Sequence, residues 1–135
     1  MKVIVDTCVW SLALRHGNSA GQSTHVAELE NLIRDNRVQM IGPIRQELLS
    51  GIRQKAQFQK LEKSLRSFPD LPITTADYVI AAKFYNLCRS KGVQGSNTDF
   101  LICALGVQNK ASIYTTDKDF GCFAKLLPIT LHLPE

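Results

Sequence analysis

Short runs of β-branched and other apolar residues alternate with longer amphipathic stretches along this chain. The runs have the length of buried strands, whereas the amphipathic stretches repeat their apolar residues at helical spacing. The predicted strands are residues 2–5, 38–41, 112–115 and 129–133. Strands separated by helices need crossover connections, so they pair in parallel and are covered on both faces. The sequence predicts an α/β fold with three α/β/α layers and a central, mostly parallel sheet of four to five strands.

Length and composition exclude several classes of protein. The 135 residues predict a single domain spanning residues 1–135, and a hydrophobic content of 44% excludes a disordered chain. The longest apolar stretch, residues 100–107, is far shorter than the ~20 residues that span a bilayer. Asp6 interrupts the first apolar run, which leaves no core for a signal peptide. We therefore expect a cytoplasmic protein that does not associate with a membrane.

Cysteine and histidine spacing argues against a thiolate or imidazole metal site. The four cysteines form no Cys-x-x-Cys pair, and the three histidines lie at no ligand spacing from them. The default expectation is reduced and mostly buried thiols.

Positive charge is concentrated in one part of the chain. The net charge is +4, and residues 34–66 alone hold eight basic and three acidic residues. Such a stretch is typical of a surface that binds a polyanion, but it is equally typical of solvated helix faces.

Four acidic residues fall where a ligand site is expected. Asp6 ends the first predicted strand and Asp117 follows the third, so both should lie at the carboxyl edge of a parallel sheet. Asp99 lies in the first turn of an apolar helix with a predicted cap at Ser96, and the long helix before it has a predicted cap at Thr75. Glu47 lies on the helix that begins near residue 43. Taken singly, the aspartates are explained as helix caps or first-turn acids, and Glu47 as a surface residue paired with Arg45.

Together, these four acids favour a metal site. Two carboxylates 4 Å apart repel by about 4 kcal/mol at an effective dielectric constant of ~20, and a divalent cation removes that repulsion. Oxygen ligands suit Mg²⁺ or Mn²⁺. The chain lacks a Gly-rich phosphate loop and a Gly-x-Ser-x-Gly segment, which excludes those routes to phosphate or ester chemistry.

Four segments resemble the ordered sequence blocks of a known family. They are VDTCVW at 5–10, ELLSG at 47–51, TDFLI at 98–102 and TTDKDF at 115–120. In this order and spacing they resemble the PIN-domain ribonucleases, and most closely the toxins of VapBC-type toxin–antitoxin modules. The resemblance extends from residue 5 to 120 and so includes nearly the whole chain.

The resemblance implies a Mg²⁺-dependent endoribonuclease, with Mn²⁺ as a substitute. Asp6, Glu47, Asp99 and Asp117 would form its catalytic pocket. Asp6 and Asp99 would be the direct metal ligands, and Glu47 and Asp117 further candidate ligands. The metal would activate water for attack on an RNA phosphodiester bond.

The same resemblance implies supporting roles for neighbouring residues. Thr7 is expected to form a hydrogen bond in the site, and Thr116 to support it. Asp119 is expected to cap the turn that follows it. Family members often carry Asn or Ser at position 8, and the replacement by Cys8 in this chain leaves the role of that position open.

The resemblance also implies partners. RNA is the expected substrate, and Arg45, Arg53 and Lys55 from the basic stretch would bind its flanking phosphates. A small cognate antitoxin would restrain the enzyme by placing a cation near the four acids. A homodimer is expected.

Three other functions remain open. A PIN nuclease that processes RNA without an antitoxin, and a non-catalytic α/β module that binds RNA or protein, fit the same blocks. An aspartyl-phosphate phosphatase would use Asp6 as nucleophile, but that chemistry usually needs a second acid where this chain has Cys8.

Overall fold

A small parallel sheet flanked by helices forms the framework of the computed structural model, which describes residues 1–15 and 24–134. The strands are β1 (Val3–Val5), β2 (Val38–Gln39) and β3 (Ser112–Tyr114). The helices of the described residues are α1 (Thr7–Arg15), α2 (Thr24–Arg34), α3 (Gly42–Leu49), α4 (Lys55–Leu65), α5 (Thr75–Ser90), α6 (Asn97–Gln108) and α7 (Asp119–Leu126).

The sheet has the order β2-β1-β3, and both pairings are parallel, which confirms the predicted α/β class. Ile4 of β1 lies opposite Ile113 of β3, and every β1 side chain is fully buried. The pairing continues one residue beyond β1, because the amide of Asp6 donates to the carbonyl of Tyr114 at 2.9 Å. This bond holds Asp6 beside the end of β3.

The prediction of four to five strands is wrong, since the sheet has three. The segment 129–133 makes a single parallel bridge, Ile113 to Leu131, and the opposite edge makes a single bridge from Met40 to Asp70. Both bridging segments are flanked by prolines, which cannot donate a ladder hydrogen bond. These are Pro69, Pro72, Pro128 and Pro134.

Helix α6 is buried nearly all around, as its apolar sequence predicts. It packs against α5, β1 and β3, and residues 100–106 are all buried. A Cβ at Gly106 would meet the carbonyl oxygen of Ala111 at 3.2 Å, so glycine permits the close approach of α6 to β3. No described helix is both long and apolar enough to cross a membrane.

Capping boxes begin the two central helices. The predicted cap Ser96 is confirmed at α6, where it accepts from the amide of Asp99 while the Asp99 carboxylate accepts from the amide of Ser96. At α5 the cap is Thr74 rather than the predicted Thr75, because Thr74 completes the same reciprocal pair with Asp77. The cap at Ser96 fixes Asp99 in the first turn of α6.

Candidate active site

Asp6 is held by hydrogen bonds at the end of β1. Its side chain is nearly buried, with the residue 8% exposed. Oδ1 accepts from the amide of Thr7 at 2.8 Å, and Oδ2 accepts from the hydroxyl of Thr115 at 2.9 Å. The same hydroxyl accepts from the amide of Asp117 at 3.0 Å. Thr115 therefore joins Asp6 to the loop that carries Asp117.

Thr115 was not among the predicted site residues, although it lies in the TTDKDF block. A usable indication existed, because Thr115 is the first residue after β3 and Asp6 is the first residue after the neighbouring β1. Residues at equivalent ends of paired parallel strands are neighbours, so its hydroxyl was a candidate partner.

Glu47 joins the site through the first turn of α1. The hydroxyl of Thr7 donates to Glu47 Oε2 at 2.8 Å, which connects α1 to α3. Thr7 thus makes the hydrogen bond expected of it. Glu47 does not pair with Arg45, whose partner is Asp70 at 3.0 Å.

Asp99 both caps α6 and contributes charge to the site. Its Oδ2 accepts from the amide of Ser96 at 3.0 Å. Burial raises the pKa of the Asp99 carboxyl, hydrogen bonds from Ser96 oppose that change, and repulsion from Asp6 and Asp117 adds to it. The cap and the acidic site are therefore two functions of one side chain.

The pKa of Asp6 is raised in the same way. Burial is the largest cause, and repulsion from Glu47 contributes. Hydrogen bonds from Thr115, the Thr7 amide and the Cys8 thiol lower the pKa but do not offset the burial. Each of the four acids is thus coupled to at least one other.

The ion pairs of the described residues lie away from the four acids. In the described ranges the ion pairs are Arg45–Asp70, Arg66–Glu62 and His132–Glu28, and none includes one of the four acids. The site therefore carries negative charge without an ion-paired counterion.

The donor chemistry of the site fits a hard divalent cation. One carboxylate oxygen of each of Asp99, Asp117 and Glu47 accepts a hydrogen bond, and the other accepts none from the described residues. With the side chains in their present positions, residues 1–15 and 24–134 contain no group of three acidic, histidine or cysteine side chains that could hold a metal ion. The oxygens suit Mg²⁺ or Mn²⁺, but a shift of side chains must bring them together.

Cys8 makes polar contacts in the site, although it stands where family members often carry Asn or Ser. Its Sγ lies 3.3 Å from the Thr115 hydroxyl and 3.6 Å from Asp6 Oδ2. It also accepts from the amide of Thr116 at 3.4 Å. Cys8 therefore connects α1 to the loop after β3.

The prediction that Asp119 caps the following turn is wrong. The amide of Asp119 donates to Asp117 Oδ1 at 2.9 Å, so Asp117 supplies the acceptor at the start of α7. Neither the Asp119 side chain nor that of Thr116 forms a hydrogen bond among the described residues, and both residues are exposed.

The three residues predicted to contact RNA differ in whether their side chains are available to bind a phosphate. Arg53 and Lys55 are exposed before and at the start of α4. The guanidinium of Arg45 pairs with Asp70 and donates to two backbone carbonyls, those of Leu65 and Phe68. Arg45 is therefore a poor candidate for a phosphate contact.

An open groove of about 720 Å³ begins at Glu47 and lies between α1, α3 and α4. Its lining includes Lys60 of α4 and apolar side chains such as Leu14 and Leu61. The groove gives a partner or substrate access to one side of the acidic site.

A short parallel sheet with four acids around its carboxyl edge defines an α/β domain with an acidic edge site. Residues 3–126 match the family model described as PIN domain. The chain is 30% identical over 128 residues to ribonuclease VapC11 of Mycobacterium tuberculosis and to a VapC ribonuclease of Mycobacterium bovis, with 92% of each chain covered. The chain belongs to the PIN domain family.

Solved structures share the fold. VapBC2 from Rickettsia felis, bound to a DNA fragment from its promoter, superposes with a TM-score of 0.77 at 20% identity over 98% of both chains. FitAcB from Neisseria gonorrhoeae gives a TM-score of 0.75 at 21% identity, covering 98% of this chain and 97% of that one.

Proposed function

We propose that this chain is a metal-dependent endoribonuclease that hydrolyses phosphodiester bonds in cytoplasmic RNA, with residues 1–135 acting as one PIN nuclease domain. The observation that carries the proposal is the group of four coupled carboxylates without an ion-paired counterion. Family membership and the ribonuclease names of the relatives support it.

Asp6 and Asp99 are the proposed primary ligands of Mg²⁺ or Mn²⁺, and Glu47 and Asp117 are further ligands. When bound, the ion supplies a water of lowered pKa and neutralises charge that develops on the phosphate. The protein supplies the orientation, because Thr115 holds Asp6 and Thr7 holds Glu47. Such hydrogen bonds behind the ligands fix their geometry.

Other residues act at the margin of the site. Thr7 lies in the first turn of α1, Asp119 in the first turn of α7 and Thr116 in the loop before α7, and we assign all three supporting roles. Exposed Arg53 and Lys55 bind phosphates that flank the reacting bond, as polyanion binding requires.

We further propose that the protein is the toxin of a type II toxin–antitoxin module, acting as a homodimer. Relatives named VapC and structural neighbours titled VapBC and FitAcB support this proposal. A small antitoxin that places an arginine near the four acids would pair a buried negative charge and block access of RNA.

The test compares RNA cleavage by the wild type with that by Asp99→Asn and a matched control, Asp35→Asn, whose carboxylate is exposed after α2. Wild type and control should be inactive in EDTA and active with Mg²⁺ or Mn²⁺. Asp99→Asn should lose several orders of magnitude in rate. Cleavage that survives exhaustive chelation, or full activity of Asp99→Asn, would exclude this mechanism.

Expression in cells separates the toxin from a processing nuclease. Induced wild type should arrest growth and Asp6→Asn should not, and co-expression of the small protein from the adjacent reading frame should restore growth. Harmless expression of folded, active enzyme would favour RNA processing instead.

A further inference from the structure

A second concave site lies between α5 and α6, and its lining includes the first residues of α6. It has a volume of about 370 Å³, within the range of small-molecule sites. Its polar walls are the tyrosines Tyr78 and Tyr85 and the amides Asn86 and Asn97, and its base is formed by small and apolar side chains. We call it the α5–α6 pocket.

The position of this pocket follows from the start of α6. Asn97 and Thr98 line the pocket and occupy the same helical turn as Asp99. The pocket therefore lies within two residues of a proposed metal ligand. A group bound there would contact the start of α6, the turn that also carries Asp99.

The side chains that line the pocket favour some classes of ligand over others. Among the described residues, none of those that line the pocket is charged, which disfavours a phosphate or a metal ion. Tyrosine faces stack on nucleobases, and amides supply both a donor and an acceptor to a base edge. The residue Tyr78 is 56% exposed, so its ring is accessible for stacking.

One wall of the pocket is held in place before a ligand binds. The ring of Tyr85 makes an edge contact with Phe100, with centroids 5.5 Å apart and planes at 73°. Phe100 is buried in the core. A fixed aromatic wall reduces the entropy lost on binding, which favours recognition over adventitious contact.

A smaller hollow of about 210 Å³ continues from the pocket and shares Tyr85 and Phe100 with it. Its lining includes Arg89, which is exposed and supplies a positive charge. An uncharged aromatic pocket followed by a cation matches the alternation of base and phosphate along a single strand.

We propose that the α5–α6 pocket binds an unpaired nucleobase next to the scissile phosphate and sets the base preference of cleavage. This inference rests on the proposed function for its substrate. The competing occupant is a second copy of this chain, because apolar side chains on α5 are also exposed.

Binding is tested on metal-free, full-length protein, so that no cleavage is needed. The probes are the four homopolymeric hexaribonucleotides, added in EDTA while the side-chain amide resonances of Asn86 and Asn97 are followed by NMR. One hexanucleotide should shift both resonances saturably and leave the amide of Asn109, at the far end of α6, unchanged. Absence of such shifts would overturn the proposal.

Variants then connect the pocket to specificity. Tyr78→Ala and Asn86→Ala should each weaken hexanucleotide binding about tenfold, or ~1.4 kcal/mol. Val79→Ala is the control, since Val79 is 48% exposed on α5 but does not line the pocket. In cleavage assays the two pocket variants should raise KM, leave kcat nearly unchanged and broaden the base distribution at one position beside the cut.

The outcomes separate this inference from the proposed function. Saturable shifts in a protein that cleaves no RNA would uphold the pocket and overturn the nuclease. Active enzyme with unchanged KM and base preference in both pocket variants would overturn the pocket alone. Dissociation of a dimer by Tyr78→Ala, without any nucleotide shift, would assign the pocket to a second copy and overturn the proposal.

Discussion

Replacing Asp6 by Asn should stabilise the metal-free protein while abolishing its proposed activity. The Asp6 carboxylate is nearly buried, is repelled by Glu47 and has no ion-paired counterion. Asparagine keeps the oxygen that accepts from Thr7, and its amide nitrogen can donate to the hydroxyl of Thr115. The substitution therefore removes charge but preserves shape and hydrogen bonding.

The raised pKa of Asp6 determines whether the substitution raises or lowers the free energy of unfolding. Because burial and repulsion raise the folded pKa of Asp6 above 3.8, the folded state binds more protons than the unfolded state. The stability from this group is full below the unfolded pKa and is lost as pH rises through the folded pKa. At pH 7.5 the variant should therefore be more stable than the wild type, by about 1.4 kcal/mol for each unit by which the folded state raises the pKa. For a chain of this size each kcal/mol gained raises Tm by about 3–5 °C.

The assay is thermal unfolding in EDTA at pH 4 and pH 7.5, with Asp77→Asn as the matched control. Asp77 is also buried, but its carboxylate completes the capping box of α5 and lies outside the acidic site. Asp77→Asn should lose ~1 kcal/mol, the opposite sign. Millimolar Mg²⁺ should stabilise the wild type more than Asp6→Asn. A lower Tm for Asp6→Asn than for wild type at pH 7.5 in EDTA would refute the argument.

Four further substitutions probe the site and the fold. Thr115→Val removes the hydroxyl that joins the ends of β1 and β3, and should weaken Mn²⁺ binding about 10–100-fold in a titration, whereas Cys8→Ser should have little effect. Gly95→Ala places a Cβ 2.6 Å from the ring of Phe123, so urea unfolding should show a loss of ~1–3 kcal/mol. His132→Ala removes the 2.6 Å partner of Glu28, whose side chain is 13% exposed, and should cost about 1–3 kcal/mol in the same assay.

The placement of Asp6 and Asp117 could be predicted because it depends only on local patterns. A buried run followed by an acid places that acid at a strand end, and parallel pairing brings strand ends together. Asp99 was placed by Ser96, a cap three residues before it. The fold class followed from the same alternation of strands and helices. The cap of α5 was predictable as well, because Thr74, unlike Thr75, has an acid three residues after it, which is the sequence pattern of a capping box.

Features that depend on tertiary contacts were not predictable. The polar contacts of Cys8 depend on how the loop after β3 packs on α1. The exposure of Tyr78 depends on the face that α5 presents to α6, and no periodicity in the sequence distinguishes it from a core tyrosine.

The strand count failed for a different reason, because the relevant indication was present in the sequence. The segment 129–133 has the apolar alternation of a strand, yet it forms one bridge to β3. Prolines flank this segment in the sequence, at positions 128 and 134. Because proline has no backbone N–H to donate to a neighbouring strand, these residues argued against a full strand here.

The central claim is that the four acids share one divalent cation. Mn²⁺ titration followed by electron paramagnetic resonance of the free ion tests it without RNA. The wild type and Asp35→Asn should bind Mn²⁺ saturably, and Asp6→Asn and Asp99→Asn should each bind at least about tenfold more weakly. Equal Mn²⁺ affinity in all four proteins, or no binding by the wild type, would contradict the claim.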